Sequence, residues 1–328
     1  MNIRLVREAG GVGDVVRVLP VLAALHARNP DAKLWVYAPE AFKTIYDHGG
    51  VPYEFVPTPM GDQRRPRLSP LDAERWPYLK APADVTFDLS IDLYCPGFDY
   101  ELRAGHDTDK DRIQLFLEAA NLWPCHAQPH YYVRDDERAA ARLFIMQQGI
   151  HKDGKPLIAM QPFSTDASRD WPEAHWVTLA NGLRELGCDV ISFDVCRGRL
   201  RRFPGAQIAG QPLWLAAAVL AECDLLISPD SGLFHLAAAV DAPALGLFAQ
   251  QRGDIMARFY PRHDWLSPDP RAATPEGCRW PCYWNRPWFC SRNTMRGVGV
   301  TCPVLAQLLP DVVLRRVDSL MRERSKAA

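Results

Sequence analysis

Residues 225–235 read Leu-Leu-Ile-Ser-Pro-Asp-Ser-Gly-Leu-Phe-His, and this stretch gives the strongest indication of the fold. The apolar run 225–228 predicts a buried strand, and the apolar spacing of 232–240 predicts a helix that starts at a glycine. A glycine there lets a ligand approach the backbone, and the first N–H groups of a helix attract anions. The stretch therefore predicts a strand–turn–helix unit with an anion site at its turn.

The same alternation recurs along the chain. Strand-like runs are found at 3–6, 33–37, 53–56, 88–94, 157–161, 189–194, 225–228 and 244–248. Helical spacing is found at 15–27, 41–48, 111–122, 135–148, 173–186 and 232–240. Alternating strands and helices predict parallel sheets, and the polar segment 151–156 is typical of a linker. We therefore predict an α/β protein of two Rossmann-like domains, residues 1–150 and 151–328.

The overall composition excludes several classes of protein. The 328 residues carry 38 Lys and Arg against 39 Asp and Glu, so the formal net charge of −1 does not favour a nucleic-acid partner or an anionic membrane surface. No stretch approaches the roughly 18 apolar residues of a membrane span, and the N-terminal residues lack the apolar region of a signal peptide. We expect a cytoplasmic protein without an integral membrane segment.

A glycine-rich turn, residues 10–13, joins the first strand to the first helix and is followed by Asp14. The dinucleotide fingerprint G-x-G-x-x-G is incomplete because Val16 occupies the third glycine position, so a nicotinamide dinucleotide is not favoured. An acidic residue in a first helical turn is either a cap or a functional carboxylate. The carboxyl edge of a parallel sheet is where ligands bind, which favours a catalytic carboxylate.

A second candidate anion site follows the strand 157–161. Ser164, Thr165 and Arg169 supply two hydroxyls and a guanidinium, which suit phosphate oxygens, and a solvated turn is the alternative. Further on, Asp230 is interpreted as a cap of the helix that starts at the glycine. His235 is interpreted as a structural or positioning residue.

These residues together resemble the ADP-heptose:lipopolysaccharide heptosyltransferases, glycosyltransferase family nine, over nearly the whole chain. The resemblance rests on Gly11-Val-Gly-Asp-Val-Val16, Leu19-Pro-Val-Leu22, Arg169-Asp-Trp-Pro172, His175-Trp176, residues 229–239 and Gly246-Leu-Phe248. It implies the GT-B fold, in which two Rossmann-like domains face an interdomain cleft. It also implies an inverting transfer of heptose from ADP-heptose to a hydroxyl of a lipopolysaccharide-type, other glycan or protein acceptor, without a metal in the transfer step.

The resemblance assigns roles to individual residues. Asp14 is implied to be the general base, in an acceptor-binding N-terminal domain. The implied contacts to the nucleotide sugar are Ser164, Thr165, Arg169, Asp194 (at the ribose), Asp230, Ser231, Gly232, Leu233 and His235. Gly13, Arg64, Arg65 and Arg67 are the expected acceptor contacts, and a solvated loop is the alternative for the three arginines. The family commonly has lysine where Arg169 stands.

Four cysteines form a separate group near the C-terminus: Cys278, Cys282, Cys290 and Cys302. Clustered thiols in a cytoplasmic chain suit tetrahedral zinc or iron, although this spacing is looser than the paired C-x2-C of zinc ribbons. Two interpretations of the four cysteines therefore remain: they bind a structural metal ion, or they are unligated thiols.

Two other functions are compatible with the same residues. One is a sugar-nucleotide 2-epimerase, which needs several acid/base groups around the sugar. The other is a non-catalytic nucleotide-sugar-binding scaffold, which would tolerate the loss of Asp14. The glycine–aspartate turn and residues 229–235 occur together in the appropriate domains, and this favours transfer.

Overall fold

The structure is a computed structural model that describes residues 1–60, 79–93, 100, 104, 109–151, 153–195, 198–269, 271–274, 278 and 301–325. The chain divides into two compact units, Met1–Tyr132 and Val133–Ala328. Each unit is described by itself below. No helix within the described ranges is long and apolar enough to cross a membrane.

Unit 1 is built on a four-stranded parallel sheet of order β3-β2-β1-β4. Its strands are β1 (Asn2–Val6), β2 (Lys33–Pro39), β3 (Glu54–Thr58) and β4 (Leu89–Asp92). Its helices are α1 (Val12–Val16), α2 (Leu19–Arg28), α3 (Lys43–Asp47) and α4 (Arg112–Ala119). The central strands β1 and β2 are almost fully buried, although Arg4 interrupts the apolar run of β1.

The first predicted helix is in fact two helices. The apolar spacing of 15–27 predicts one helix, but α1 ends at Val16 and α2 begins at Leu19. Pro20 lies in the first turn of α2, where its missing N–H costs no intrahelical hydrogen bond. The break therefore explains a proline that would be unfavourable inside one continuous helix.

Unit 2 is built on a six-stranded parallel sheet of order β10-β9-β8-β5-β6-β7. Its strands are β5 (Leu157–Met160), β6 (Asp189–Asp194), β7 (Ala206–Ala209), β8 (Leu225–Pro229), β9 (Ala244–Leu247) and β10 (His263–Leu266). Its helices are α5 (Asp135–Gln147), α6 (Glu173–Glu185), α7 (Leu213–Ala221), α8 (Gly232–Ala239), α9 (Gly253–Met256) and α10 (Pro310–Ser325). The chain order reverses between β5 and β8, and loops that diverge at such a point leave room for a ligand.

Helix α5 groups with unit 2, whereas the sequence places it before the expected boundary at residue 150. It packs on α7, and Glu222 just beyond α7 accepts from Arg142 at 3.0 Å and from Arg138 at 3.4 Å. This packing explains why α5 belongs to unit 2.

Candidate functional site

Asp14 lies in α1, just beyond the loop that follows β1, and both its carboxylate oxygens are engaged. Oδ1 accepts from Nη1 of Arg112 at 2.5 Å and lies 3.7 Å from Nη2 of Arg7. Oδ2 accepts from the backbone N–H of Gly11 at 3.1 Å. The predicted functional carboxylate is therefore the centre of an ion-pair cluster.

This cluster controls the ionisation of Asp14. Burial by itself raises the pKa of Asp14, but the positive charges of Arg112, Arg7 and Arg17 outweigh burial and hold the pKa well below its usual range. The side chain of Asp14 is 17% exposed, so a substrate atom can still reach it. Asp14 is consequently a preformed, partly accessible carboxylate at neutral pH.

The position of Arg112 is fixed by its neighbour Asp111. The Asp111 carboxylate caps α4 by accepting from the N–H of Ile113 at 2.7 Å, and Arg112 is the first residue of that helix. Asp111 is buried and lies 4.0 Å from Arg17; burial raises its pKa and the charge of Arg17 opposes this. The cap thus places the Arg112 side chain against Asp14.

Gly10 lies against this cluster in a backbone conformation that favours glycine, with φ of 104°. A Cβ atom at Gly10 would lie 2.6 Å from Oδ2 of Asp14 and 2.7 Å from Nη2 of Arg7. Gly11 has φ of −98°, and a Cβ atom there would meet nothing within 4 Å. The two adjacent glycines therefore form a matched pair for mutation.

We expect Gly10→Ala to lower the free energy of unfolding by about 1–3 kcal/mol, because it combines backbone strain with a clash. Gly11→Ala is expected to change it by less than about 1 kcal/mol. Urea unfolding of the two variants beside the parent protein measures the difference. Equal effects at both positions would show that the Gly10 backbone is not constrained as described.

In unit 2, Arg169 connects the loops that follow β5 and β8. Its Nη1 donates to Oδ2 of Asp230 at 2.7 Å, and its Nη2 donates to Oγ1 of Thr165 at 2.8 Å. The Ser164 hydroxyl donates within its own loop, to the carbonyl of Asp166 at 2.7 Å. Arg169, Thr165 and Asp230 are therefore brought together, while Ser164 stabilises the loop that carries them.

Helix α8 starts beside this cluster. Ser231 occupies the N-cap position, and its hydroxyl is paired with that of Ser228 at 2.8 Å instead of capping the helix. The N–H groups of Gly232 and Leu233 lie in the first turn, where a helix offers no internal acceptor. The backbone arrangement predicted from the sequence is thus present next to Arg169.

The interpretation of Asp230 as the helix cap is wrong, because Ser231 holds that position. Instead the Asp230 carboxylate lies between Arg169 and Nε2 of His235, the latter at 3.5 Å. His235 is buried, and its Nδ1 is 2.8 Å from the hydroxyl of Tyr260. His235 is therefore placed to orient Asp230, in agreement with a positioning role.

The remaining predicted residues are more dispersed. Asp194 lies at the end of β6 and is bound by Arg199, a residue that the sequence analysis missed. Gly13 is buried within α1. Arg64, Arg65, Arg67, Cys282 and Cys290 lie outside the described residues.

Two of the four cysteines in the predicted metal site lie within the described residues. Cys302 is buried, and Cys278 packs against the same hydrophobic cluster. Among the residues that the structure describes, no group of three or more His, Cys, Asp and Glu side chains is arranged to hold a metal ion.

Comparison with known proteins gives matches over most of the chain. The family described as glycosyltransferase family 9 (heptosyltransferase) matches residues 109–261. Lipopolysaccharide heptosyltransferase 1 of Pseudomonas aeruginosa is 33% identical over 294 residues, which cover 76% of this chain and 78% of the relative.

Solved structures match the whole fold. E. coli ADP-heptose lipopolysaccharide heptosyltransferase II superposes with a TM-score of 0.66 at 18% identity, covering 99% of this chain and 100% of that one. E. coli heptosyltransferase WaaC with ADP-2-deoxy-2-fluoro heptose superposes with a TM-score of 0.60 at 18% identity, covering 97% of this chain and 99% of that one. The iron-containing E. coli glycosyltransferase TibC gives 0.62 at 13% identity, covering 98% of this chain and 76% of that one. The fold is of the GT-B class, as the resemblance implies.

Proposed function

The chain belongs to glycosyltransferase family 9, the heptosyltransferase family, and from this premise we propose that it transfers heptose from ADP-heptose to a hydroxyl group of a lipopolysaccharide-type acceptor. The named relatives are transferases, so the epimerase alternative is not supported. The proposed reaction is a single displacement at the anomeric carbon. The acceptor oxygen attacks as the ADP oxygen leaves, so the anomeric configuration is inverted.

The observation that carries the proposal is the Arg169 cluster beside the first turn of α8. A departing diphosphate gains negative charge in the transition state, and a fixed guanidinium and helix N–H groups stabilise such charge without reorganisation. Asp230 and Thr165 hold the guanidinium in place. Support for the donor comes from a structural relative, WaaC, which was solved with an ADP-heptose analogue.

Asp14 is proposed as the general base. A proton must leave the acceptor hydroxyl as its oxygen attacks, and a carboxylate in hydrogen-bonding distance accepts it. The arginine cluster keeps Asp14 in the deprotonated form that this step requires. The same cluster lowers the proton affinity of Asp14.

Two further assignments belong to this proposal. Arg64, Arg65, Arg67 and Gly13 are proposed acceptor contacts, as the family resemblance implies. A structural zinc or iron ion on the four cysteines is a separate proposal with no part in transfer. It is supported by the residue types, by the shared packing of Cys278 and Cys302 and by iron in the relative TibC.

The test is a transfer assay with ADP-heptose, UDP-glucose and GDP-mannose as donors and a heptose-deficient lipopolysaccharide as acceptor. We expect acceptor-dependent release of ADP, little release of UDP or GDP, and a product whose anomeric configuration, measured by NMR, is opposite to that of the donor. Retention of configuration would contradict the single displacement. Failure of ADP-heptose both to bind and to react would overturn the donor assignment.

A further inference from the structure

Arg199 is held unusually firmly for a residue on a loop. It follows β6, and its Nε and Nη2 donate to the two carboxylate oxygens of Asp194 at 2.7 and 3.0 Å. Its guanidinium carbon lies 4.2 Å from the centre of the Phe163 ring. A bidentate carboxylate and an aromatic face together fix both the direction and the plane of the guanidinium.

Asp194 is in turn inaccessible. Its side chain is 1% exposed, and the backbone N–H of Val195 donates to its Oδ1 at 2.8 Å in addition to the two bonds from Arg199. A ligand hydroxyl therefore has little access to this carboxylate. The prediction that Asp194 itself contacts the ribose is not favoured by this geometry.

Arg199 by contrast remains accessible. Its side chain is 42% exposed, and Nη1 has no hydrogen-bond partner within the described part of the chain. Nη1 carries two N–H donors, and the fixed plane of the guanidinium directs them. Arg199 thus presents an oriented pair of donors that the folded chain does not use.

The location of Arg199 matches that of a nucleoside. In sheets with this strand order, an Asp or Glu near the carboxyl end of the strand beside the first one contacts the ribose 2′-hydroxyl, and here Asp194 with its partner Arg199 occupies that place. Here β5 is the first strand and β6 lies beside it. Phe163, which packs on Arg199, immediately precedes Ser164 of the proposed diphosphate loop.

The electrostatics of Asp170 agree with this placement of Arg199. Asp170 accepts from the backbone N–H of Ser164 at 2.7 Å. Burial raises the pKa of Asp170, and the charges of both Arg169 and Arg199 oppose this rise. The packing of Arg199 on Phe163, next to Ser164, places Arg199 at the same edge of the sheet as the proposed diphosphate contacts.

We propose that Arg199 is the residue that recognises the ribose of the donor, with Nη1 donating to a ribose hydroxyl oxygen, and that Asp194 acts only as a positioning residue for Arg199. The inference rests on the proposed function, since it assumes a nucleoside diphosphate in unit 2. It changes the chemistry of recognition, because the protein group at the ribose is then a cationic donor and not a carboxylate acceptor.

The experiment measures dissociation constants by calorimetry for ADP, 2′-deoxy-ADP and 3′-deoxy-ADP. The proteins are the parent, Arg199→Ala, Asp194→Asn and Arg201→Ala. Arg201 is the matched control, because it is exposed on the same loop and forms no ion pair within the described residues. Circular dichroism and thermal unfolding establish that each variant is folded.

We expect the parent to bind ADP about 10- to 100-fold more tightly than at least one deoxy analogue, as for a hydrogen bond from a charged group. Arg199→Ala should bind ADP about 10- to 100-fold more weakly than the parent does. It should bind ADP and the deoxy analogues with similar affinity. Asp194→Asn should also bind ADP more weakly than the parent, and Arg201→Ala should bind all three nucleotides with the affinity of the parent.

Three results would overturn the inference. If Arg199→Ala binds ADP as tightly as the parent or more tightly, Arg199 only shields Asp194. If it binds all three nucleotides more weakly by the same factor, Arg199 contacts phosphate. If the parent binds ADP without distinguishing the analogues, no ribose hydroxyl is recognised. Absence of ADP binding to the parent would instead contradict the proposed function itself.

Discussion

Asp14→Asn is expected to reduce kcat for transfer by about 10²- to 10⁴-fold, the range over which a general base contributes. Asparagine has nearly the same shape as aspartate but cannot accept the proton of the acceptor hydroxyl. The affinity for ADP should change by less than about twofold, because the proposed donor contacts are all in unit 2. Initial rates of ADP release and calorimetric titration with ADP measure the two quantities.

The control for this variant must separate chemistry from stability. Asp14→Asn leaves Arg7 and Arg112 without their carboxylate, and Arg7 is nearly buried, so some loss of stability is expected. Asp31→Asn changes an exposed carboxylate in the same unit and should leave both rate and stability unaltered. A folded Asp14→Asn protein that transfers at the parent rate would show that another group is the base.

The Asp14 site shows what local sequence can and cannot predict. The glycine turn and Asp14 are adjacent in sequence, so their pattern indicates a site at the end of a strand. Arg112 is 98 residues away from Asp14, and only the folded sheet and the cap of α4 bring the two together. The same reasoning applies to Arg169 and Asp230, which are 61 residues apart. Candidate residues were thus predictable, but their ion pairs were not.

Two helices were predictable from their periodicity. The predicted segments 135–148 and 173–186 agree with α5 and α6 to within one residue at each end. Helix α7 was missed because all nine of its residues are apolar, so no polar face marks the helical period. Strand β7 was missed because four residues of mixed polarity give no clear alternation.

Arg169→Ala is expected to lower kcat/KM by about 10²- to 10³-fold, which is the loss typical of removing one group that stabilises transition-state charge. The effect should appear in both kcat and the affinity for ADP, because the guanidinium is proposed to contact the diphosphate before and during departure. Arg169→Lys keeps the charge at a position where the family commonly has lysine. It should therefore recover most of the activity that Arg169→Ala loses, although not the bidentate geometry.

The Arg169 variants also distinguish a role of Arg169 in ligand binding from a role in stabilising the fold through its ion pair with Asp230. Without Arg169, the buried carboxylate of Asp230 loses the guanidinium that lies 2.7 Å away, so Arg169→Ala is expected to be less stable than the parent. Arg184→Ala removes an exposed arginine of the same unit and should change neither activity nor stability. The double variant Arg169→Ala/Asp230→Asn also removes the buried carboxylate charge, so it should regain stability without regaining activity. If activity returned together with stability, Arg169 would act through the fold and not on the diphosphate.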